Sequence, residues 1–452
     1  MKVIKFGGSS VASAEQLEKV KNIVVEDTSR KFVIVSAPGK RDKSDIKVTD
    51  LLIDLAAETL RDSDNASATF NKIIDRFRDT AEGLHMDLAI VEKLSKQLNQ
   101  VINDDRYENT AYFTDAVKAF GEDANAQLIA TYFSEQGLDA VYMNPQDAGL
   151  YLSDNPGHAR VLPESYQNLY KLRSHEGVVV IPGFFGYTKS GKLVTFSRGG
   201  SDITGAIVAN GVKADTYENF TDVSSIYVAN PGVVHDPVSI EQLTYSEMRE
   251  LSYAGFSVFH DEALQPAFIA NIPVAIKNTN EPQAPGTLIT RTRPKNNLPI
   301  SGIASTSGFA SVYIQKYMMN REVGFVRRVL SVLEKYNVSF EHIVSGIDDI
   351  DVIFKEDALS KSEFEQMVVE IKAETAADAI EKRDNLSLLM IVGEGMIENI
   401  GNTARATKAL SEAGINLEMI NQGSSEISVM FGIVEEREND AVRAIYNEFF
   451  HQ

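Results

Sequence analysis

The strongest constraint on the fold is that the last third of the chain repeats itself. Slid by 77 residues without a gap, it aligns Gly324 with Gly401, Arg328 with Arg405, Leu333 with Leu410, Glu341 with Glu418 and Ile343 with Ile420. The same register aligns Gly346 with Gly423, Ile350 with Ile427, Val352 with Val429 and Phe354 with Phe431. The matches fall in strand-like runs, a helix-like run and a turn. Two copies of one small βαββα-type unit are therefore expected.

The preceding part reads differently. Val3–Phe6 and Phe32–Val35 are strand-like, and Ala14–Val25 has helical spacing, so a parallel βαβ unit opens the chain. From Pro38 to Pro145 no proline intervenes, and Gly83 is the only glycine between Gly39 and Gly121. Residues 49–60, 66–82, 88–103 and 112–120 carry helical periodicity, which predicts a helical subdomain over about 44–120. Strands and helices then alternate again. Val178–Ile181 reads as a strand, Lys189-Ser190-Gly191 as a hairpin turn, and Ile203–Asn210 as a helix. A linker near 293–298 divides the chain into 1–292, 299–383 and 384–452.

Charge and composition exclude several roles. The net charge of −20 argues against nucleic-acid binding, which rests on Lys/Arg contacts to phosphate. With no cysteine there is no disulfide or thiol chemistry, and the seven histidines lack metal-ligand spacing, so no protein-built metal site is expected. No apolar run is long enough to span a membrane. The opening MKVIKFGG reads without a leader, and a cytoplasmic location is expected.

Two glycine loops carry the chemistry. Lys5-Phe6-Gly7-Gly8-Ser9 lies at the carboxyl end of the first strand, where open α/β sheets bind ligands. Its glycines allow close backbone approach to phosphate, and a lysine there can neutralise a phosphoryl group in flight. Ser197-Arg198-Gly199-Gly200-Ser201-Asp202 again joins a strand to a helix start, a ready anion site. Arg198 can grip a carboxylate with two hydrogen bonds, and Asp202 can orient a lysine, unless Ser201 or Asp202 merely caps the helix. Gly121-Glu122 is read at a helix start, where the glutamate either complements the dipole or accepts an ammonium. Gly186–Lys192 has Walker-like spacing, but Leu193 replaces the needed Ser/Thr, so that reading is set aside.

Together these motifs resemble the aspartate kinase family over the whole chain. Lys5–Ser9, Ser36, Thr49-Asp50, Gly121-Glu122, Phe184, Ser197–Asp202 and Phe220-Thr221-Asp222 with Tyr227 follow its motifs in order, and the repeats look like ACT domains. The resemblance implies an α/β amino-acid-kinase fold, with a mostly parallel sheet and a helical subdomain, plus two ferredoxin-like ACT domains. It implies Lys5 and Asp202 as catalytic residues. Ser36, Thr49, Glu122, Phe184, Arg198, Gly199 and Ser201 would hold aspartate. Gly7, Gly8, Ser9, Gly200, Thr221, Asp222 and Tyr227 would join Lys5 around ATP, with Mg²⁺ carried by the nucleotide. Met319, Gly324, Phe325, Ser339, Glu341, Ser345 and Asp348 fall at effector positions, with lysine the leading effector and threonine a second candidate. A homodimer or higher homo-oligomer through the ACT units and a monofunctional enzyme are implied. Gly232 and Ser257 depart from the basic residues many relatives carry, which bears on ATP phosphate contacts. A sister kinase of the same fold and a catalytically weak amino-acid sensor are the competing readings.

Overall fold

The computed structural model describes residues 1–197, 199–256, 263–294 and 299–451. They form two compact units. The first comprises Met1–Ile226, Ser239–Met248 and Val258–Arg293, and the second Tyr227–Val238, Arg249–Ser257 and Pro294–Gln452.

The first unit is built on β1 (Lys2–Phe6), β2 (Arg30–Val35), β3 (Ala140–Tyr142) and β4 (Val178–Pro182), with the hairpin β5 (Phe185–Tyr187) and β6 (Leu193–Thr195). It continues through β7 (Thr216–Thr221), and after the short β8 (Ile226–Tyr227) and β9 (Ser239–Ile240) come β10 (Gln242–Thr244), β11 (Val274–Asn278) and β12 (Thr287–Thr290). Eight of these form one sheet in the order β10-β12-β11-β7-β1-β2-β4-β3. The pairs around β1 are all parallel, while β12 runs antiparallel to β11. β1 lies in the middle and is almost wholly buried, so the loop leaving its carboxyl end opens at the centre of the sheet edge.

Helices flank this sheet: α1 (Ala14–Glu26), α2 (Val48–Leu60), α3 (Ala66–Gly83), α4 (Ala89–Ile102), α5 (Thr110–Glu135), α6 (Glu164–Lys171) and α7 (Gly200–Val212). The short α8 (Tyr245–Tyr253) and α9 (Gln265–Ala270) follow. Ser13 caps α1 by accepting from the Gln16 N–H, as a serine before an amphipathic run should. The helix read over 112–120 is in fact a 26-residue helix running straight through Gly121-Glu122. A mid-helix glycine costs about 1 kcal/mol against alanine. Here a Cβ at Gly121 would sit 2.8 Å from the Ala37 Cβ, so only glycine lets α5 lie this close to the end of β2. Glu122 is thus an interior helix residue, not a start. Helix α7 begins at Gly200, earlier than Ile203, and its N-cap is Gly199 at φ +75°; neither Ser201 nor Asp202 caps it.

The second unit contains β13 (Gly302–Gln315), α10 (Phe325–Lys335), β14 (Phe340–Ser345), β15 (Asp349–Lys355) and α11 (Lys361–Thr375). β16 (Ala379–Val392), α12 (Asn402–Glu412), β17 (Met419–Gln422), β18 (Ser428–Val434) and α13 (Glu438–Phe450) repeat the order. β16 and α12 start and end 77 residues after β13 and α10. The six strands make one antiparallel sheet, β14-β15-β13-β16-β18-β17. In β13, Phe309–Gln315 pairs with β15, while Gly302–Thr306 pairs with Val392–Leu388 of β16. Each long strand therefore opens its own repeat with one half and completes the other repeat's sheet with the other half. Phe309 faces Leu386, its own counterpart, where the two repeats meet.

Candidate active site

Lys5 emerges near the end of β1 only 6% exposed, and its Nζ lies 2.6 Å from Asp202 Oδ1 in the first turn of α7. The same oxygen accepts from Asn219 Nδ2 at 2.7 Å. Asn219 stands beside Lys5 in β7, so sheet register brings it there. The lysine is thereby aimed by a carboxylate that is itself oriented.

Contact demands glycine at several positions around it, though at Gly7 a Cβ would only touch its neighbours. A Cβ on Gly7 would lie 3.7 Å from Lys5 Nζ. Gly8 and Gly39 stack backbone on backbone: a Cβ on Gly39 would lie 2.6 Å from the Gly8 carbonyl carbon, and the Gly39 N–H donates to Gly8 O at 2.8 Å. Ser9 follows in a short 3-10 turn. On the α7 side, a Cβ on Gly200 would sit 2.6 Å from the Phe184 ring, and one on Gly183 the same distance from the Ser201 side chain. Phe184 adopts φ +76°, a left-handed conformation uncommon for a bulky residue. It is secured by its N–H donating to Thr204 Oγ1 at 3.0 Å and its carbonyl accepting from the Phe196 N–H at 2.9 Å. Such strain held by surrounding bonds is a feature of functional sites.

Helix α5 supplies the third wall. Glu122 is buried, and its Oε2 has no hydrogen-bond partner. Burial pushes its carboxyl up to about 8, against the opposing pull of the Ala37 backbone N–H and the Lys5 charge. Three residues along, Asn125 donates to Ser36 O at 2.7 Å and fixes the end of β2. Thr49 stands in the first turn of α2, whose Val48 N–H donates to Pro38 O at 3.1 Å. Thr221 ends β7; its Oγ1 donates to the exposed Asp222 at 3.2 Å.

The structure thus gathers Lys5, Gly7, Gly8, Ser36, Glu122, Phe184, Gly199, Gly200, Ser201 and Asp202 around one sheet edge. Arg198 and Ser257 lie outside the described residues. Tyr227 and the Asn230-Pro231-Gly232 turn belong to the second unit; there the Gly232 N–H donates to Asn230 Oδ1 at 2.8 Å. Sequence reasoning missed Asn219, Asn125 and Lys118. Lys118 lies 3.2 Å from Asp115 and 5.9 Å from the Phe184 ring centroid. For Lys118 the one-turn spacing to Glu122 was an available signal; Asn219, in a strand that reads TYENFT, had none.

The effector candidates of the second unit divide into two groups. Met319 and Phe325 are packed in the core under α10 and α11. Asp348 holds the loop before α10 instead: its Oδ1 accepts the Met318 N–H at 2.8 Å and its carbonyl the Lys316 N–H at 2.7 Å. Gly324, at φ +80°, is the N-cap of α10. Glu341 accepts from the Tyr253 hydroxyl at 2.5 Å, and Ser339 and Ser345 are exposed near the ends of β14.

A family model described as the amino acid kinase family matches residues 1–278, and an ACT domain model matches residues 389–449. The chain is 53% identical to Aspartokinase 3 of Bacillus subtilis over 450 residues, covering 100% of this chain and 99% of that one. It belongs to the amino acid kinase family, in its aspartokinase branch. The crystal structure of Clostridium acetobutylicum aspartate kinase superposes with a TM-score of 0.87 at 37% identity, covering 99% of this chain and 100% of that one. E. coli aspartokinase III in complex with aspartate and ADP shares the fold, with a TM-score of 0.81 at 24% identity over the full length of both.

Proposed function

We propose that this chain transfers the γ-phosphoryl group of ATP to the side-chain carboxylate of L-aspartate, giving 4-phospho-L-aspartate. This is the first step toward lysine, diaminopimelate, threonine and methionine, and lysine restrains it. The observation that carries the reading is Glu122, a buried carboxylate oxygen without a partner beside a buried, oriented lysine. Such an oxygen is costly unless something meets it. The ammonium of an amino acid is the group it suits.

The chemistry needs no general base, because an aspartate side chain is ionised at pH 7. What remains is alignment and charge neutralisation. Lys5 balances charge on the group in flight, Asp202 and Asn219 aim Lys5, and the Gly7-Gly8 and Gly199-Gly200 loops bring backbone close to phosphate oxygens. Thr221 and Asp222 border the nucleotide, Ser36, Thr49, Phe184 and Ser201 border aspartate, and Arg198 grips its α-carboxylate. Asp202 Oδ1 is already taken by Lys5 and Asn219, which fits Mg²⁺ entering as a nucleotide-borne ion that adds charge neutralisation at the phosphates.

The regulatory part is read as two ACT units, 299–383 and 384–452. The six-stranded sheet ends in β14 and β17, and an edge strand is a natural place for a second copy to pair. No helix among the described residues is long and apolar enough to cross a membrane, and both substrates are metabolites of the cytoplasm, where we place the enzyme.

The test is hydroxylamine trapping of acyl phosphate with ATP, Mg²⁺ and L-aspartate, with and without L-lysine. Lys5→Ala should lower kcat by about 10²–10³-fold, the range for removing one group that stabilises developing charge. Glu122 adds a pH signature. Its folded-state carboxyl titrates above its ordinary value, so it is protonated in free enzyme below about pH 8. Aspartate binding then expels a proton, and affinity rises with pH until about 8. Glu122→Gln should raise KM for aspartate and flatten that rise. Absence of acyl phosphate from folded wild-type protein would sink the reading.

A further inference from the structure

We infer that Arg76, in the helical subdomain, is a positioning residue that sets the spacing between the two sides of the active site. Its side chain is buried, with 6% exposure. Burying a guanidinium costs several kcal/mol unless its donors are met. Arg76 Nη2 donates to Gly39 O at 2.7 Å, and Nη1 donates to Ile46 O at 2.8 Å and lies 3.0 Å from Asp45 Oδ2. One planar fork thus grips both ends of the loop joining β2 to α2.

Each end leads to a different substrate. Gly39 is locked to Gly8 through its N–H and by backbone contact that leaves no room for a Cβ. Gly8 belongs to the phosphate-side loop. Ile46 leads into the first turn of α2, where Thr49 stands on the aspartate side. Asp45 holds the fork in place and is itself held by Arg41, whose N–H and Nε each lie 3.0 Å from Asp45 Oδ2. A lysine has its three donors on a single nitrogen and lacks the rigid planar fork that reaches both carbonyls in fixed geometry. Displacement of a reacting group by about 1 Å can cost 10²-fold in rate. The fixed fork is therefore a device for alignment rather than only a salt bridge.

The inference rests on the kinase reading above, and the experiment separates the two. Wild type, Arg76→Lys, Arg76→Gln and Asp45→Asn are compared in full-length protein by circular dichroism, melting, steady-state kinetics and hydrogen exchange followed by mass spectrometry. Expected are native spectra, kcat at least 10-fold lower in both Arg76 variants and a smaller loss in Asp45→Asn. Exchange should be faster in both 7–12 and 36–47. Partial recovery in Arg76→Lys relative to Arg76→Gln supports the charge being needed and the fork being better. Should both Arg76 variants misfold, Asp45→Asn keeps Arg76 while removing its anchor and decides the matter by the same readouts. Variants that melt lower but keep wild-type kcat per folded molecule and unchanged exchange at 7–12 would overturn the inference. Inactive wild type would sink the kinase reading alone, since the exchange comparison needs no turnover.

Discussion

The two repeats of the second unit share a chain path but not their surfaces. Gly324 and Gly401 both start their helices in the left-handed region, at φ +80° and +92°. Met319 and Met396, also 77 residues apart, are both buried. What repeats is packing, so the methionine at 319 belongs to the fold before it belongs to any ligand. The effector candidates that do not repeat are Phe325, Ser339, Ser345 and Asp348, replaced by Asn402, Asn416, Gln422 and Ser425. Arg405 lies 2.7 Å from Glu448. The position equivalent to Glu448 in the first repeat is Ile371, and there Arg328 turns to Glu322 instead. The sheet faces diverge as well. In the first repeat, the face away from the helices carries Ser311, Tyr313 and Asp351, with Arg383 3.4 Å from Asp351. In the second, the matching positions of Ser311 and Tyr313 are Leu388 and Met390, both buried. Residues 250–254 cover that apolar face: Leu251 meets Gly302, Glu250 accepts from Ser428 at 2.9 Å, and Ala254 O accepts from Thr306 at 2.7 Å. The two copies share a scaffold, while this face is apolar and covered in one and polar in the other.

The largest expected effect tests that division of faces. Leu251 is fully buried on the second repeat. Leu251→Ala should cost about 2–5 kcal/mol, the range for a buried leucine truncation. Asp351→Asn, on the polar face, should cost well under half of that. Urea unfolding followed by hydrogen exchange over residues 386–434 measures both. Equal costs would mean that the two faces are not functionally distinct.

How much of this could be seen beforehand depends on which interactions are local. The repeat was legible because strand and helix periodicities are local and recur in one register. Lys5, Gly7 and Gly8 stood out as candidates because a glycine pair ends the first strand, where open α/β sheets bind ligands. Gly121 misled: a helix-breaking residue read as a boundary, when long-range contact with Ala37 was the reason for it. Asn219 and Arg76 were invisible, since one acts through sheet register and the other through carbonyls 30 and 37 residues away. The half-strand exchange of β13 and β16 was equally hidden, because alternating apolar residues do not say which neighbour a strand has.

A smaller effect separates the copies by response rather than stability. Asp348→Ser installs the second repeat's residue and removes the Oδ1 that accepts the Met318 N–H. A hydrogen bond to a charged group contributes roughly 1.5–3 kcal/mol. Most of that should appear as looser order in the loop before α10. The expected result is a several-fold higher lysine concentration for half-inhibition, with kcat in the absence of lysine unchanged. Ser425→Asp in the second repeat should leave inhibition where it was. A matching shift from both variants would show that sensing is shared between repeats.

The smallest effect uses a feature both copies hold in common. Gly324→Ala and Gly401→Ala each place a Cβ on a left-handed residue, at a cost of about 1–2 kcal/mol. Nothing else should differ in stability, because a Cβ at Gly401 meets no atom within 4 Å and one at Gly324 meets only the ends of Arg327 and Arg328 at 3.8 Å. The two melting shifts should therefore agree. If the backbone N–H groups at the start of α10 receive the carboxylate of an amino acid, as a helix N-terminus can, then only Gly324→Ala should also weaken lysine inhibition. Equal melting shifts with unequal inhibition would locate sensing in the first copy. Equal shifts with equal inhibition would make the glycine a folding residue in both, and would move the search for the effector to the residues the copies do not share.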